Sequence, residues 1–278
     1  MMKGMLVMTR LGSTAGWRVL AAATVACSLV LAGCDTTPKD ETSGKATEKL
    51  YEEARDEAAN GNWERASKLY EKLEGRAAGT ALAQQAQIDL AYAYYKTGEK
   101  ALAIATLERF IRLHPSSPAL DYAYYLQGLV NFNERLGLLS SFARQDLSER
   151  DQQASRDAYQ SFRQLTTQFP DSKYAPDAQL RMNYIVSALA AYEVHVARYY
   201  YRRGAYVAAA NRAQQSVQEF QRAPAGEEAL YIMMLSYDKL ALPQLRDDAK
   251  RVLTQNFPQS RYLEEGFVER SKPWWQIW

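Results

Sequence analysis

The sequence predicts an all-α fold, an α-solenoid of about five stacked helix pairs. Three observations predict it. Apolar residues recur at helical spacing over most of the chain, units of similar size follow one another, and no alternating stretch outcompetes a helical reading. The unit is clearest from Leu82 to Pro115. Ile88, Ala91, Tyr92 and Tyr95 fall at i, i+3, i+4 and i+7. A second stripe holds Leu102, Ile104, Leu107 and Ile111, with Ala105 or Thr106 beside them. Gly98 suits the left-handed turn after the first helix, and Pro115 stops the second. Small side chains at Ala91 and Ala103 let the two rods approach closely. Such a hairpin leaves an apolar face bare, so it needs neighbours.

Leu90, Ala91, Tyr94, Ala103, Leu107 and Pro115 together resemble the tetratricopeptide repeat; only the leading tryptophan is absent, with Gln87 in its place. The resemblance implies a right-handed solenoid. Stacked pairs of this kind curve and leave a groove lined mainly by the first helix of each pair.

Residues 1–33 read as a leader outside the fold. Lys3, Arg10 and Arg18 form its basic part, and Val19 to Val30 an apolar core too short for a membrane span. The core runs into Leu31-Ala32-Gly33-Cys34, which resembles the lipobox of bacterial lipoproteins; the alternative is a plain signal peptide that happens to contain Cys34. The lipobox resemblance implies cleavage before Cys34, an S-diacylglycerol on its thiol and an N-acyl chain on its amine. Each buried CH₂ adds about 0.8 kcal/mol, so several chains anchor stably where one is marginal. On that reading Cys27 leaves with the leader and Cys34 would be acylated, so no thiol would remain for a disulfide, a metal or catalysis. Loss of the three basic residues takes the formal charge from +2 to near zero, which offers no bulk attraction for nucleic acid. Residues 34–46 are polar, with Pro38 and Gly44, and read as a lipid-anchored tether. Asp35, directly after the cysteine, resembles an inner-membrane retention signal of enteric lipoproteins.

The solenoid is expected over residues 47–263. In the first unit Leu50, Ala54, Gly61, Ala66 and Tyr70 stand where the second has Gln87, Ala91, Gly98, Ala103 and Leu107. Glu57 and Ala78 depart from the pattern, as an end unit does. The third unit opens with Leu120, Tyr122, Tyr125, Leu129 and Phe132, with Gly128 at the small position. It is interrupted from Leu136 to about Gln153 and resumes with Ala158, Phe162 and Leu165 inward. The interruption is either a partner-contacting loop or a tolerated insertion. The fourth unit has a long first helix, Pro176 to about Arg203, with Met182, Ile185, Leu189, Tyr192, Val196 and Tyr200 in one stripe; Gly204 turns it into Val207–Phe220. The fifth pairs Glu227–Leu240 with Leu245–Phe257 around a turn at Pro243. His114-Pro-Ser-Ser117, Phe169-Pro-Asp-Ser172 and Phe257-Pro-Gln-Ser260 each offer a proline to end one helix and a serine to cap the next. Residues 264–278 form a tail in which Trp274, Trp275 and Trp278 suit either an interface or lipid headgroups. The plainer alternative is a tail that folds back on the last pair or stays unstructured.

No residue set suggests catalysis. His114 and His195 match no metal-ligand spacing, and there is no phosphate loop or nucleophile elbow. Glu52-Glu53 and Asp247-Asp248 are adjacent on helices and therefore point apart. No enzyme activity, metal or cofactor is expected beyond the covalent lipid. What remains is surface presentation. Tyr51, Tyr92, Tyr95, Tyr122, Tyr125 and Phe132 either fill the core or grip an aromatic-rich peptide from the groove.

With lipobox, tether and five pairs, the mature chain resembles the BamD family, the tetratricopeptide lipoproteins of the Gram-negative β-barrel assembly machinery. Ser148-Glu-Arg-Asp151 and the run Tyr199-Tyr-Tyr-Arg-Arg-Gly-Ala-Tyr-Val-Ala-Ala-Ala-Asn-Arg212 carry that resemblance. It implies that N-terminal repeats receive unfolded outer-membrane proteins through an aromatic signal strand. It implies too that C-terminal repeats dock the barrel subunit BamA, through Arg203 and Arg212, and accessory lipoproteins. Solvated helix ends are the plainer reading of those arginines. The implied place is the periplasmic face of the outer membrane. The alternative is another lipid-anchored periplasmic adaptor, serving peptidoglycan enzymes or proteases.

Overall fold

The computed structural model describes residues 45–132 and 152–267 of the chain. Among these residues there are eleven helices and no strand. They are α1 (Thr47–Ala59), α2 (Trp63–Arg76), α3 (Ala81–Thr97), α4 (Lys100–Leu113), α5 (Leu120–Asn131), α6 (Gln152–Gln168), α7 (Ala175–Arg202), α8 (Tyr206–Glu219), α9 (Gly226–Lys239), α10 (Pro243–Asn256) and the short α11 (Arg261–Glu265). From α1 to α10 every helix packs on the next, and α3 also touches α1 and α5, as α9 touches α7. Odd-numbered helices up to α9 are thus the first helices of five pairs in a tetratricopeptide-like α-solenoid.

The core is continuous along the stack rather than central. Leu50, Leu73, Leu90, Leu107, Phe110 and Leu126 join α1 to α5. Tyr124, Phe162, Leu165, Met182 and Ile185 join α5 to α7. Val194, Ala197, Ala209, Ala213 and Ile232 carry it to α9, and Leu230, Tyr231 and Leu253 to α10. Half-buried residues shared by adjoining clusters, among them Ile111, Phe169, Ala225 and Val217, bridge one to the next.

Among the described residues, four of the five pairs turn through the same hydrogen bonds. The amides of Asn62, Glu99, Ala205 and Leu242 donate to the carbonyls of Glu57, Tyr94, Tyr200 and Tyr237, at 2.8 to 3.0 Å. This is the Schellman closure, and it needs a left-handed residue just before the donor. Gly61, Gly98 and Gly204 supply it with φ of 80°, 84° and 78°, but Ala241 holds the place in the fifth pair at φ 55°. The turn expected at Pro243 lies two residues earlier, and Pro243 is instead the first residue of α10, where its missing N–H costs nothing.

The links between pairs also repeat. The amides of Thr80, Ser117, Ser172, Ala223 and Ser260 donate to carbonyls three residues back, at 2.9 to 3.1 Å. The serines do not cap the helices as expected. Ser117 Oγ and Ser172 Oγ accept from the amides of Ala119 and Tyr174, inside the turn and ahead of the helix. Ser260 makes no cap bond, whereas Thr80 Oγ1 accepts from the Ala83 amide as the N-cap of α3. Two apolar stripes also shift. Leu102 is 47% exposed, and the buried edge of α4 is Ala103, Thr106, Leu107 and Phe110. On α7, Tyr192, Val196 and Tyr200 are half-buried while Ala190, Glu193, Val194 and Ala197 face the core.

Polar clasps tie neighbouring repeats. Tyr51 donates to Asp89 Oδ2 at 2.9 Å and Tyr125 to Asp177 Oδ2 at 2.8 Å, each from one first helix to the next. Tyr94 donates to Glu71, and Tyr262 to Glu228 Oε2 at 3.0 Å. Burial, then the adjacent carboxylate, pushes the hydroxyls of Tyr51, Tyr125 and Tyr262 up to about 12. Beyond α11, Phe267 packs on Tyr201 and Tyr231, with ring centroids 5.7 and 5.1 Å away.

Three tests follow from this packing. A Cβ at Gly128 would lie 2.4 Å from the ring of Phe162, which is itself fully buried and cannot yield. Gly128→Ala should therefore cost about 1–3 kcal/mol in urea unfolding, despite the better helix propensity of alanine. Ala241→Gly should raise stability by about 0.5–1 kcal/mol by removing left-handed strain, read as a higher thermal midpoint. The folded state favours the protonated form of the clasp tyrosines. Their stabilisation is thus complete below the unfolded value of 10.0 and is lost as pH rises through about 12. A phenolate absorbance titration should show a late-titrating subset that moves to ordinary values in denaturant.

Candidate functional site

The six aromatic residues singled out for the groove are all half-buried, and none is sealed in the core. The core places go to Tyr70, Tyr94 and Tyr124, which are at most 9% exposed. The half-buried rings form a path over first helices. Trp63 meets Tyr92 edge-on at 5.5 Å, and Tyr92 lies 6.2 Å from Tyr95. Tyr122 and Tyr125 both meet Tyr174, the latter stacked at 4.7 Å. Phe132 contacts Phe162 at 6.3 Å and Tyr184 at 5.9 Å. Tyr51 stands at the N-terminal end, 6.1 Å from Tyr70.

Four cations lie on this path, the first being Arg55, 5.9 Å from the Tyr51 ring. Lys96 Nζ is 5.5 Å from the Trp63 ring, Lys173 Nζ is 5.0 Å from Tyr174, and the Arg181 guanidinium is 5.1 Å from Phe132. Helical stripes alone do not point to Trp63, Tyr174 or these cations. Trp63 opens a second helix directly after the Asn60-Gly61-Asn62 turn, and Lys173 and Tyr174 sit in the link between repeats. Their signal was a bulky aromatic beside a turn, which places a ring at the end of a neighbouring helix. The chemistry offered is ring faces and edges for apolar side chains, with cationic groups at intervals.

The two arginines lie in the C-terminal repeats and differ in setting. Arg203, just past α7, is exposed with its guanidinium 5.4 Å from the Tyr199 ring. Arg212, in α8, donates from Nη1 to Glu193 Oε2 at 3.0 Å. The Glu193 side chain is only 3% exposed, against 42% for Arg212. A buried carboxylate needs its cation, so Arg212 has a structural duty as well as an outward face. A glutamate among the apolar residues of α7 was the available clue, and periodicity alone does not say which arginine meets it. A second such pair, Arg198 with Glu228, ties α7 to α9.

Among the described residues, no group of three or more His, Cys, Asp or Glu is placed to hold a metal ion, and no helix is long and apolar enough to cross a membrane. Asp247 and Asp248 are exposed and pair with Arg246 and Arg251. Cys34, Asp35, the 136–151 part of the interruption with Ser148–Asp151, and tail residues 268–278 lie outside the described residues.

A family model described as "Outer membrane lipoprotein" (YfiO) matches residues 43–253. The chain is 50% identical over 260 residues to "Outer membrane protein assembly factor BamD" of Neisseria meningitidis serogroup A, covering 92% of this chain and 97% of that protein. Proteins of the same description from Xylella fastidiosa and Vibrio cholerae are 34% and 33% identical, over 88% and 82% of this chain and 84% and 94% of theirs. The crystal structure of MamA protein covers 82% of this chain and 98% of its own at 16% identity, with a TM-score of 0.32. The matched span runs from just before α1 into α10 and so takes in both the aromatic path and the two arginines: the chain belongs to the BamD (YfiO) family of outer-membrane lipoproteins.

Proposed function

We propose that the chain is a non-enzymatic scaffold of the outer-membrane β-barrel assembly machinery. It is held at the periplasmic face of the outer membrane by acyl chains on Cys34, an S-diacylglycerol and an N-acyl group. Its N-terminal repeats receive unfolded outer-membrane proteins, and its C-terminal repeats dock BamA and accessory lipoproteins. The observation that carries this reading is the half-buried aromatic and cationic path over the first helices. A protein that needed those rings only for its core would bury them, as it does Tyr70, Tyr94 and Tyr124. An extended strand presents side chains to alternate sides, and rings set along a groove can take one side of it.

On the C-terminal repeats, Arg212 spends one edge of its guanidinium on Glu193 and keeps more than two-fifths of its side chain exposed. The free edge is suited to a carboxylate on the barrel subunit, and Arg203 lies close by in sequence to add a second charge.

The test uses detergent extracts of membranes carrying the tagged, lipidated protein. Arg212→Lys keeps a cation for Glu193 but loses the fork. It should leave the thermal midpoint within a few degrees of wild type and weaken retention of BamA by about tenfold. Full retention by a folded Arg212→Lys protein counts against the assignment. Arg212→Glu is the poorer probe, because it sets a second carboxylate against the buried Glu193 and would lower stability for reasons unrelated to docking.

A further inference from the structure

The Tyr51–Asp89 and Tyr125–Asp177 clasps occupy one register. Tyr51 lies three residues before Ala54 and Tyr125 three before Gly128, and each hydroxyl crosses to the first helix of the next repeat. They differ in what answers the carboxylate. Arg181, four residues after Asp177, brings Nε to 2.6 Å from Oδ2, and its guanidinium lies over Phe132. The residue four after Asp89 is Ala93, and Ala58 stands where the third repeat has Phe132. The first clasp therefore has neither a cation nor a ring at those matching positions.

Asp89 is met by neutral donors only, Tyr51 at Oδ2 and Gln85 Nε2 at Oδ1, 3.1 Å away. Among the described residues no cation reaches ion-pair distance of it; Arg55, over the Tyr51 ring at 5.9 Å, acts on the carboxyl only from longer range. The charge on Asp89 is nevertheless felt by three tyrosines, Tyr51, Tyr70 and Tyr122, from α1, α2 and α5. Burial raises the Asp89 carboxyl above its usual range. Burial acts on Asp177 in the same direction, but the hydrogen bonds from Arg181 and Tyr125 outweigh it and hold that carboxyl low.

We propose that Asp89, clasped by Tyr51, is a binding subsite for a basic side chain, the arginine or lysine of an extended polypeptide lying on the first-helix face. The incoming cation takes the part that Arg181 plays in the second clasp, with its charge on the carboxylate and its flat face toward tyrosine rings. The aromatic path then reads apolar side chains while Asp89 selects for a positive charge at one end. This inference rests on the reading of that face as a polypeptide groove.

The experiment uses the full-length protein in detergent and two short synthetic peptides that alternate aromatic and polar residues. One has a central arginine; the other has citrulline there, which keeps the shape and loses the charge. Wild type should bind the arginine peptide about tenfold more tightly, with the preference shrinking in high salt. Asp89→Asn retains an acceptor for Tyr51, should unfold at the wild-type temperature, and should bind both peptides as wild type binds the citrulline form. Equal binding of the two peptides by wild type overturns the subsite and leaves the groove standing. A preference that survives in Asp89→Asn overturns it too. Binding of neither peptide overturns the groove and the subsite together.

Discussion

Close contact between helix backbones is the constraint on which the whole stack depends. Helices that carry large side chains at a crossing are held 8–10 Å apart; closer approach needs a residue that is nearly absent. Ala54, Ala91 and Ala197 each lie seven residues before a turn glycine, and Ala66, Ala103 and Ala209 five after one; all six are fully buried. At Gly128 the demand is stricter, because the Phe162 ring occupies the very space a methyl would fill. These contacts fix how one helix leans on the next, and the same turn chemistry repeats that lean down the chain. The large apolar side chains then fill the spaces the lean creates.

A stack of this kind never closes on itself, and its surplus of aromatic residues follows from that. The tyrosines divide by position on the first helices. Tyr94 and Tyr124 turn inward, while Tyr92, Tyr95, Tyr122 and Tyr125 remain half-exposed on the helix surface. A half-buried phenol is stable there because its ring is covered and its hydroxyl finds a carboxylate, as at Tyr51 and Tyr125. The bonds that bind one repeat to the next therefore lie on the same half-exposed surface as the aromatic path. In the proposed function, recognition and stability would share residues here, as they would at Arg212, whose guanidinium also pairs with the buried Glu193.

Much of the fold is legible from particular residues. Gly61, Gly98 and Gly204 mark turns because only glycine enters the left-handed region without strain. Ala241 does the same work at some cost, so a search for glycine misses it and settles on Pro243 nearby. The serines of the closing motifs read as helix caps, but the Ser117 and Ser172 hydroxyls serve the turn ahead of the helix and Ser260 makes no cap bond. Leu102 has helical spacing and a large apolar side chain, yet faces solvent, because a stripe several residues wide says less about its own edges than its centre. For the candidate site, the six aromatic positions are readable as a set. Which side of each helix stays open is not, since core and groove place their residues only one position apart.

The sequence by itself determined the helices, the turns between them and the small residues at their crossings, all of which are local matters of propensity, dihedral preference and side-chain volume. It also carried the family, through residues spread over the length of the solenoid. Tertiary structure alone decided the partners. Tyr51 with Asp89, Arg212 with Glu193 and Tyr174 against Tyr125 join residues far apart in the chain. Their meeting depends on the angle at which one pair of helices settles on the next. No spacing within a single helix encodes that angle, and it is what brings Tyr51 to Asp89 and Tyr125 to Asp177.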